Sequence, residues 1–281
     1  MIAPDFVGIL EDLDNDEYHA EQAHLSSSRL KALLPEHFKT GGSTEALDFG
    51  TLFHTVVLEP ELAEAYVVLD AHAIAGDNPK TGKPYDAPQM TARFKAAVAE
   101  AEADGRTVVA RADWDRAHAM RDAILAHDTA RRLLFEEDGR AELSAFAIDE
   151  DNIAHKARFD KLITGVGIDL KSTSGKPGED SIARSVIDYG YDLSAAHYLA
   201  VADLLGMELQ AFAFVFVGKE PLPNGLHPVT VCDLDETFLA RGRALREKAI
   251  RRHLDPAEPR YQGASGFLTL TAPAWARKDI A

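Results

Sequence analysis

Gly167-Ile-Asp-Leu-Lys-Ser-Thr173 decides how this chain is read. Alternation along an extended segment puts Asp169 and Lys171 on one face and Ile168 and Leu170 on the other, so a carboxylate and an ammonium leave the sheet side by side. Nine residues earlier, Asp160 sits in Lys156-Ala-Arg-Phe-Asp-Lys-Leu-Ile163, and a hairpin between the two segments would bring it next to Asp169. Two carboxylates at one spot repel, and a hard divalent cation with oxygen ligands removes the repulsion. Glu142, at the start of the preceding extended segment, could supply a further carboxylate. A Glu, Asp, Asp, Lys set suits metal-assisted phosphodiester hydrolysis, where the metal lowers the pKa of its water and the lysine orients or activates the nucleophile. Taken alone, an Asp-x-Lys pair on a strand is more often a solvated or ion-paired edge. Here each charge is flanked by apolar residues, and Asp160 repeats the arrangement.

Outward from this stretch, strands are expected at 141–148, 155–163 and 167–173, joined tightly enough for an antiparallel meander. Helices at about 180–188 and 192–205, strands at 208–217 and 229–234 and a long helix at 235–254 follow. The succession βββααββα implies a mixed sheet with helices packed on it, an α/β or α+β core rather than a Rossmann unit. Towards the amino terminus the pattern is helical. Ser26 to Ser28 cap a short helix through Leu34, while Phe49, Leu52, Phe53, Val56 and Val57 share one helical face. Further helices are expected at 89–103 and, capped by Asp113, through Leu134, with an exposed loop at 76–88 between them. The expected organisation is a single domain over 1–281: a mainly helical part at 1–138 carrying His54, a core at 139–255 and a tail at 256–281.

The length of 281 residues, with 46% apolar and 27% charged, allows a sizeable core without disulfide staples. Cys232 stands alone, which excludes an intrachain disulfide, a CxxC zinc ribbon and a four-thiolate iron–sulfur cluster. No apolar run approaches the ~20 residues that span a bilayer, and Met-Ile-Ala-Pro-Asp-Phe lacks a basic n-region, so a cytoplasmic protein with no membrane partner is expected. Thirty Lys and Arg face 46 Asp and Glu, a net −16, so nucleic acid would have to be met by a local basic patch.

Arg158-Phe-Asp-Lys161 followed by Gly167-Ile-Asp-Leu-Lys-Ser-Thr173 resembles the PD-(D/E)xK nuclease signature, specifically that of the exonuclease VIII (RecE-type) phage recombination exonucleases. The resemblance runs over most of the chain. It takes in Leu25-Ser-Ser-Ser-Arg-Leu-Lys31, Phe49-Gly-Thr-Leu-Phe-His-Thr-Val-Val-Leu-Glu-Pro60, Pro79-Lys-Thr-Gly-Lys-Pro84, Gly190-Tyr-Asp-Leu-Ser-Ala-Ala-His-Tyr-Leu199 and Phe214-Val-Phe-Val-Gly-Lys-Glu-Pro221. It implies a PD-(D/E)xK core with a helical amino-terminal layer. It also implies a Mg²⁺ site (Mn²⁺ as possible substitute) at His54, Asp160, Asp169 and Lys171, with Glu142 at the acidic position before them. Resection of one strand 5′ to 3′ from double-stranded DNA ends, a homo-oligomeric ring and a single-strand annealing partner are further implications. An endonuclease, a single-strand exonuclease of the same superfamily or a noncatalytic DNA-end-binding scaffold are the rival readings.

The chain departs from the family where relatives usually carry Gln-x-x-x-Tyr, having Ser194 and Tyr198 there. Tyr198 is a candidate contact to the site or DNA, with a buried packing role the alternative. Lys80 and Lys83 in the 76–88 loop are candidate DNA contacts. Arg241, Lys248 and Arg252 form one helical stripe, expected as a solvated face or a phosphate-tracking surface.

Overall fold

The computed structural model describes residues 2–39, 44–175, 177–255 and 269, leaving aside the side chains of 44–48. All but one residue of the expected 256–281 tail lies outside them. A six-stranded sheet in the order β1-β2-β3-β4-β5-β6 forms the centre, from β1 (Gly8–Leu10), β2 (Gly139–Ile148), β3 (Ala154–Ile163), β4 (Val166–Thr173), β5 (Ala211–Gly218) and β6 (Val229–Asp233). β2, β3 and β4 are the expected meander. β4 and β5 run parallel because two helices intervene, and β6 returns antiparallel on β5. The sheet is therefore mixed and flanked by helices, as expected. β1 has no counterpart in the sequence reading: three residues are too short to show alternation, and only pairing with β2 makes them a strand.

Ala92–Ala103 is the helix expected at 89–103, and six other helices of the described residues position the site: α1 (Ser27–Ala32), α2 (Thr44–Leu58), α3 (Arg111–Ala126), α4 (Glu179–Tyr189), α5 (Tyr191–Leu204) and α6 (Glu236–Leu254). The apolar face of α2, from Phe49 through Val57, packs with Met120 and Ile124 of α3 onto Ile168, Leu170, Val215 and Val217. On the opposite side Phe212, Phe214 and Phe216 meet Ile182 and Val186 of α4 and Ala195, Val201 and Ala202 of α5. A central strand covered on both faces reads as one apolar run, which is why Ala211–Gly218 shows no alternation. Each fully buried Phe or Leu contributes about 1.5–3 kcal/mol. α1 docks on α5 and α6 through Leu25, Leu30, Leu34, Leu193, Leu245 and Ala249. Of the amino-terminal helices, α2 and α3 thus cover one face of the sheet, and α1 lies on the helices that cover the other.

Some expectations need correction. α3 begins at Arg111 with Ala110 as its cap, and Asp113 lies in the first turn without capping it. The helix expected through Leu134 breaks at His127, whose Nδ1 accepts the Ala130 N–H and recaps the chain. The 76–88 loop contains a small hairpin, Asp77–Asn78 with Lys83–Pro84. The stripe on α6 is ion-paired and only partly exposed: Arg241 is paired with buried Asp192, while Lys248 and Arg252 reach Glu36 at 3.5 and 2.7 Å. Those charges tie α6 to its neighbours.

α5 and α6 approach closely at Gly242, where a Cβ would collide with the Asp192 carbonyl. Gly242→Ala is therefore expected to lower stability by about 2 kcal/mol, because overpacking against fixed backbone outweighs the ~1 kcal/mol gain in helix propensity. Urea denaturation checks this, and a stabilised variant would contradict it.

Candidate active site

The β2–β3 ladder is interrupted once. Ala141 pairs with Lys161 and Leu143 with Phe159, while Glu142 and Asp160, between them, are unpaired. Glu142 has φ 50°, a left-handed conformation that costs a non-glycine residue of order 1–3 kcal/mol and persists only where surroundings impose it. Its carboxylate accepts from Arg158 Nε at 2.7 Å, and the Arg158 guanidinium lies 5.5 Å from the Tyr18 ring centroid.

At the same level β4 leaves β3. The pairing between them ends at Lys161 with Ile168, whereas β4 stays paired with β5 through Thr173. Side chains take over at Leu170, whose N–H donates to Asp160 Oδ2 at 2.6 Å and whose carbonyl accepts from His54 Nε2 at 2.8 Å. A carbonyl only accepts, so Nε2 carries a proton and Nδ1 is left to face the carboxylates, 3.7 Å from Asp160 Oδ2 and 3.9 Å from Glu142 Oε1. His54 comes from α2, whose apolar neighbours Phe53 and Val57 are anchored in the core.

Burial pushes the His54 imidazole down, but the Asp160 charge and the hydrogen bond to Glu142 outweigh it and raise the pKa to about 9. Burial pushes the Asp160 carboxyl up to about 7, assisted by the Asp169 charge. Glu142 is held below the usual carboxylate range, since His54 and Arg158 overcome its burial. At neutral pH a proton on His54 Nδ1 thus stands where the carboxylates converge.

His54, Glu142 and Asp160 offer ligand atoms that all lie within 4.8 Å of one another. One imidazole and two carboxylates, with the imidazole oriented by a backbone carbonyl, fit a divalent cation that takes mixed O and N ligands. Asp169 is not one of this trio, though its charge acts on Asp160. It is buried and ion-paired with Lys171, as the expected shared face requires. Lys171 keeps its charge, because Asp169 and Asp160 more than offset its burial, and its ammonium lies 5.6 Å from the Tyr191 ring centroid.

Of the other sequence candidates, Tyr198 is wedged against Phe159 and Phe212, at centroid distances of 5.1 and 5.3 Å, so packing accounts for its place. Tyr191, seven residues earlier on α5, is the aromatic beside Lys171, and no sequence signal distinguished the two. Lys80 and Lys83 are exposed on the small hairpin, where their backbone N–H groups bond Asn78 and Thr81 within the loop. Ser194 is buried, donates to the Gly190 carbonyl at 3.3 Å and receives Lys31 Nζ at 3.2 Å. No sequence signal marks Arg158 as the residue that holds Glu142.

The raised values carry a consequence for stability. Asp160 and His54 both bind protons more tightly in the folded than in the unfolded chain. Their contributions are full below ~3.9 and ~6.5, the unfolded values, and are lost as pH rises through about 7 and about 9. In metal-free protein, the stability of the wild type relative to Asp160→Asn is expected to fall as pH rises from about 4 to 9. Urea titrations in chelator at several pH values measure the difference, and a gap that widens in the wild type's favour would refute the assignment.

No sequence among curated proteins matches the chain. Its fold is similar to a crystal structure described as a "Putative exonuclease" from Eubacterium rectale, with TM-score 0.57 and 15% identity over 86% of this chain and 85% of that one. At that identity the likeness shows the fold alone. An alkaline exonuclease from Laribacter hongkongensis is 15% identical over 71% of this chain and 90% of that one, and its TM-score of 0.27 carries no argument. The sequence matches, over residues 20–255, the family described as a PDDEXK-like domain of unknown function (DUF3799), and the chain belongs to that family.

Proposed function

We propose that the protein is a metal-dependent exodeoxyribonuclease that hydrolyses phosphodiester bonds of DNA. The observation that carries the reading is the convergence of His54 Nδ1, Glu142 and Asp160 beside the Asp169–Lys171 pair, at the point where β4 parts from β3. The metal ligands are His54, Glu142 and Asp160, with Asp169 adjoining them. Mg²⁺ is the expected cation and Mn²⁺ its substitute. Bound there, the ion would neutralise charge on the phosphate and lower the pKa of a water molecule.

The chain's own residues do the rest. Asp169 holds Lys171 charged and in place, so its ammonium meets a phosphate oxygen or the attacking water without paying for reorganisation. Arg158 fixes Glu142, and Leu170 fixes Asp160 and His54 through its backbone. His54 must release its Nδ1 proton for a cation to enter, which couples binding to pH.

Substrate polarity and assembly rest on the resemblance to RecE-type exonucleases: digestion 5′ to 3′ from double-stranded DNA ends for recombination, by a homo-oligomeric ring working with a single-strand annealing protein. Lys80 and Lys83 are exposed and suit contacts to the duplex. An acidic exterior is compatible with a basic channel inside a ring.

Asp160→Ala, Asp169→Ala and Lys171→Met are each expected to lower cleavage at least ~10²–10³-fold, about 2.7–4 kcal/mol, while circular dichroism shows the fold retained. Wild-type turnover in a folded variant would overturn the site. Substrate topology tests the exonuclease reading. Linear duplex labelled at either end should be resected only with the divalent cation, leaving the 3′-ended strand, while relaxed closed circles stay intact. Circles cut as fast as linear DNA would make the protein an endonuclease, and end binding without cleavage would make it a scaffold.

A further inference from the structure

Lys31 is a second lysine at the same place, supplied by the opposite end of the sequence. It projects from α1, which Ser26 caps and Leu30 and Leu34 anchor against α5 and α6. Its ammonium donates to the Tyr189 carbonyl at 3.3 Å and to Ser194 Oγ at 3.2 Å. Both acceptors flank the α4–α5 turn. That turn is held by Gly190 at φ +65°, where the Phe38 ring leaves no room for a Cβ. The acceptors are therefore fixed in position.

Both acceptors are also neutral. Among the described residues no carboxylate forms an ion pair with Lys31: nearby Asp169 is taken by Lys171 and Asp192 by Arg241. Lys31 and Lys171 stand 6.0 and 5.6 Å from the centroid of one ring, that of Tyr191. Burial and the Lys171 charge together hold Lys31 down to about 8, as expected of a cation beside another cation without an anion of its own. An ammonium has three donors, and two are accounted for. In a chain of net charge −16, two half-buried lysines beside one aromatic ring are a local concentration of positive charge.

We infer that Lys31 binds a backbone phosphate of the DNA strand in the nuclease site, with Ser194 and the Tyr189 carbonyl aiming its ammonium and Lys171 as its cationic neighbour. This rests on the nuclease reading and adds to it a phosphate contact from the amino-terminal helix. Lys31 would position the strand, whereas Lys171 acts at the reacting phosphate.

Binding of a fluorescent linear duplex, followed by anisotropy in chelator from about 50 to 200 mM salt, tests this without any turnover. Loss of one phosphate contact lowers the slope of log K against log salt by about 1. Lys31→Gln, which keeps a donor for Tyr189 and Ser194, is expected to show that change and about eightfold weaker binding at ~0.1 M salt. Lys31→Arg should keep the wild-type slope. Duplexes ending in a 5′-hydroxyl or a 5′-phosphate separate the sources of phosphate. Equal losses with both support an internal phosphodiester, and a loss confined to phosphorylated ends overturns that assignment. An unchanged slope in folded Lys31→Gln would sink the Lys31 contact alone, whereas wild-type protein that binds no duplex in chelator and cleaves none with the divalent cation would sink the nuclease reading with it.

Discussion

The peptide of Leu170 is the point on which the site depends. Had the β3–β4 ladder continued, its N–H and carbonyl would have bonded the neighbouring strand. Instead the Asp160 carboxylate takes the first and the His54 imidazole the second. Buried backbone groups left unpaired cost free energy, so those side chains stabilise the parting of the two strands. The same two bonds set the direction of the His54 ring and of the Asp160 carboxylate. Fold and site are therefore specified together here, while the Leu170 side chain remains an ordinary core residue.

Glu142 shows a different relation between strain and function. Its left-handed backbone removes one residue from the β2–β3 ladder and turns the carboxylate to where Asp160 and His54 meet. Arg158 and the Tyr18 ring beneath it hold the result in place. The amino-terminal segment thus supports the strands of the site.

Much of this was legible in the sequence for physical reasons. The alternation of Gly167 to Thr173 separates Asp169 and Lys171 from Ile168 and Leu170 whatever the partners, so their faces follow from period two alone. The apolar stripe of α2 likewise declared its buried face. The break in the ladder could not be read, because a positive φ at glutamate has no sequence signal. Neither did spacing separate Tyr191 from Tyr198, since both lie on one buried helix and only the neighbours across the sheet decide which reaches Lys171. The stripe of Arg241, Lys248 and Arg252 misled for a related reason: its partners, Asp192 and Glu36, are distant in sequence.

The parallel pairing of β4 with β5 bears on how the molecule comes into being. β4 holds β3 through three residue pairs and β5 through eight, so the strand carrying Asp169 and Lys171 depends chiefly on a neighbour synthesised after two intervening helices. The contacts that complete the site also span long stretches of chain, 116 residues from His54 to Leu170 and 163 from Lys31 to Ser194. Contacts of that separation form slowly, because loop closure must be met before they return any energy. A ribosome-bound chain that has emerged only through α5 already contains every proposed ligand and both lysines, yet lacks the strand that holds β4 in register. Completion of the site is thus deferred to the closing stage of biogenesis.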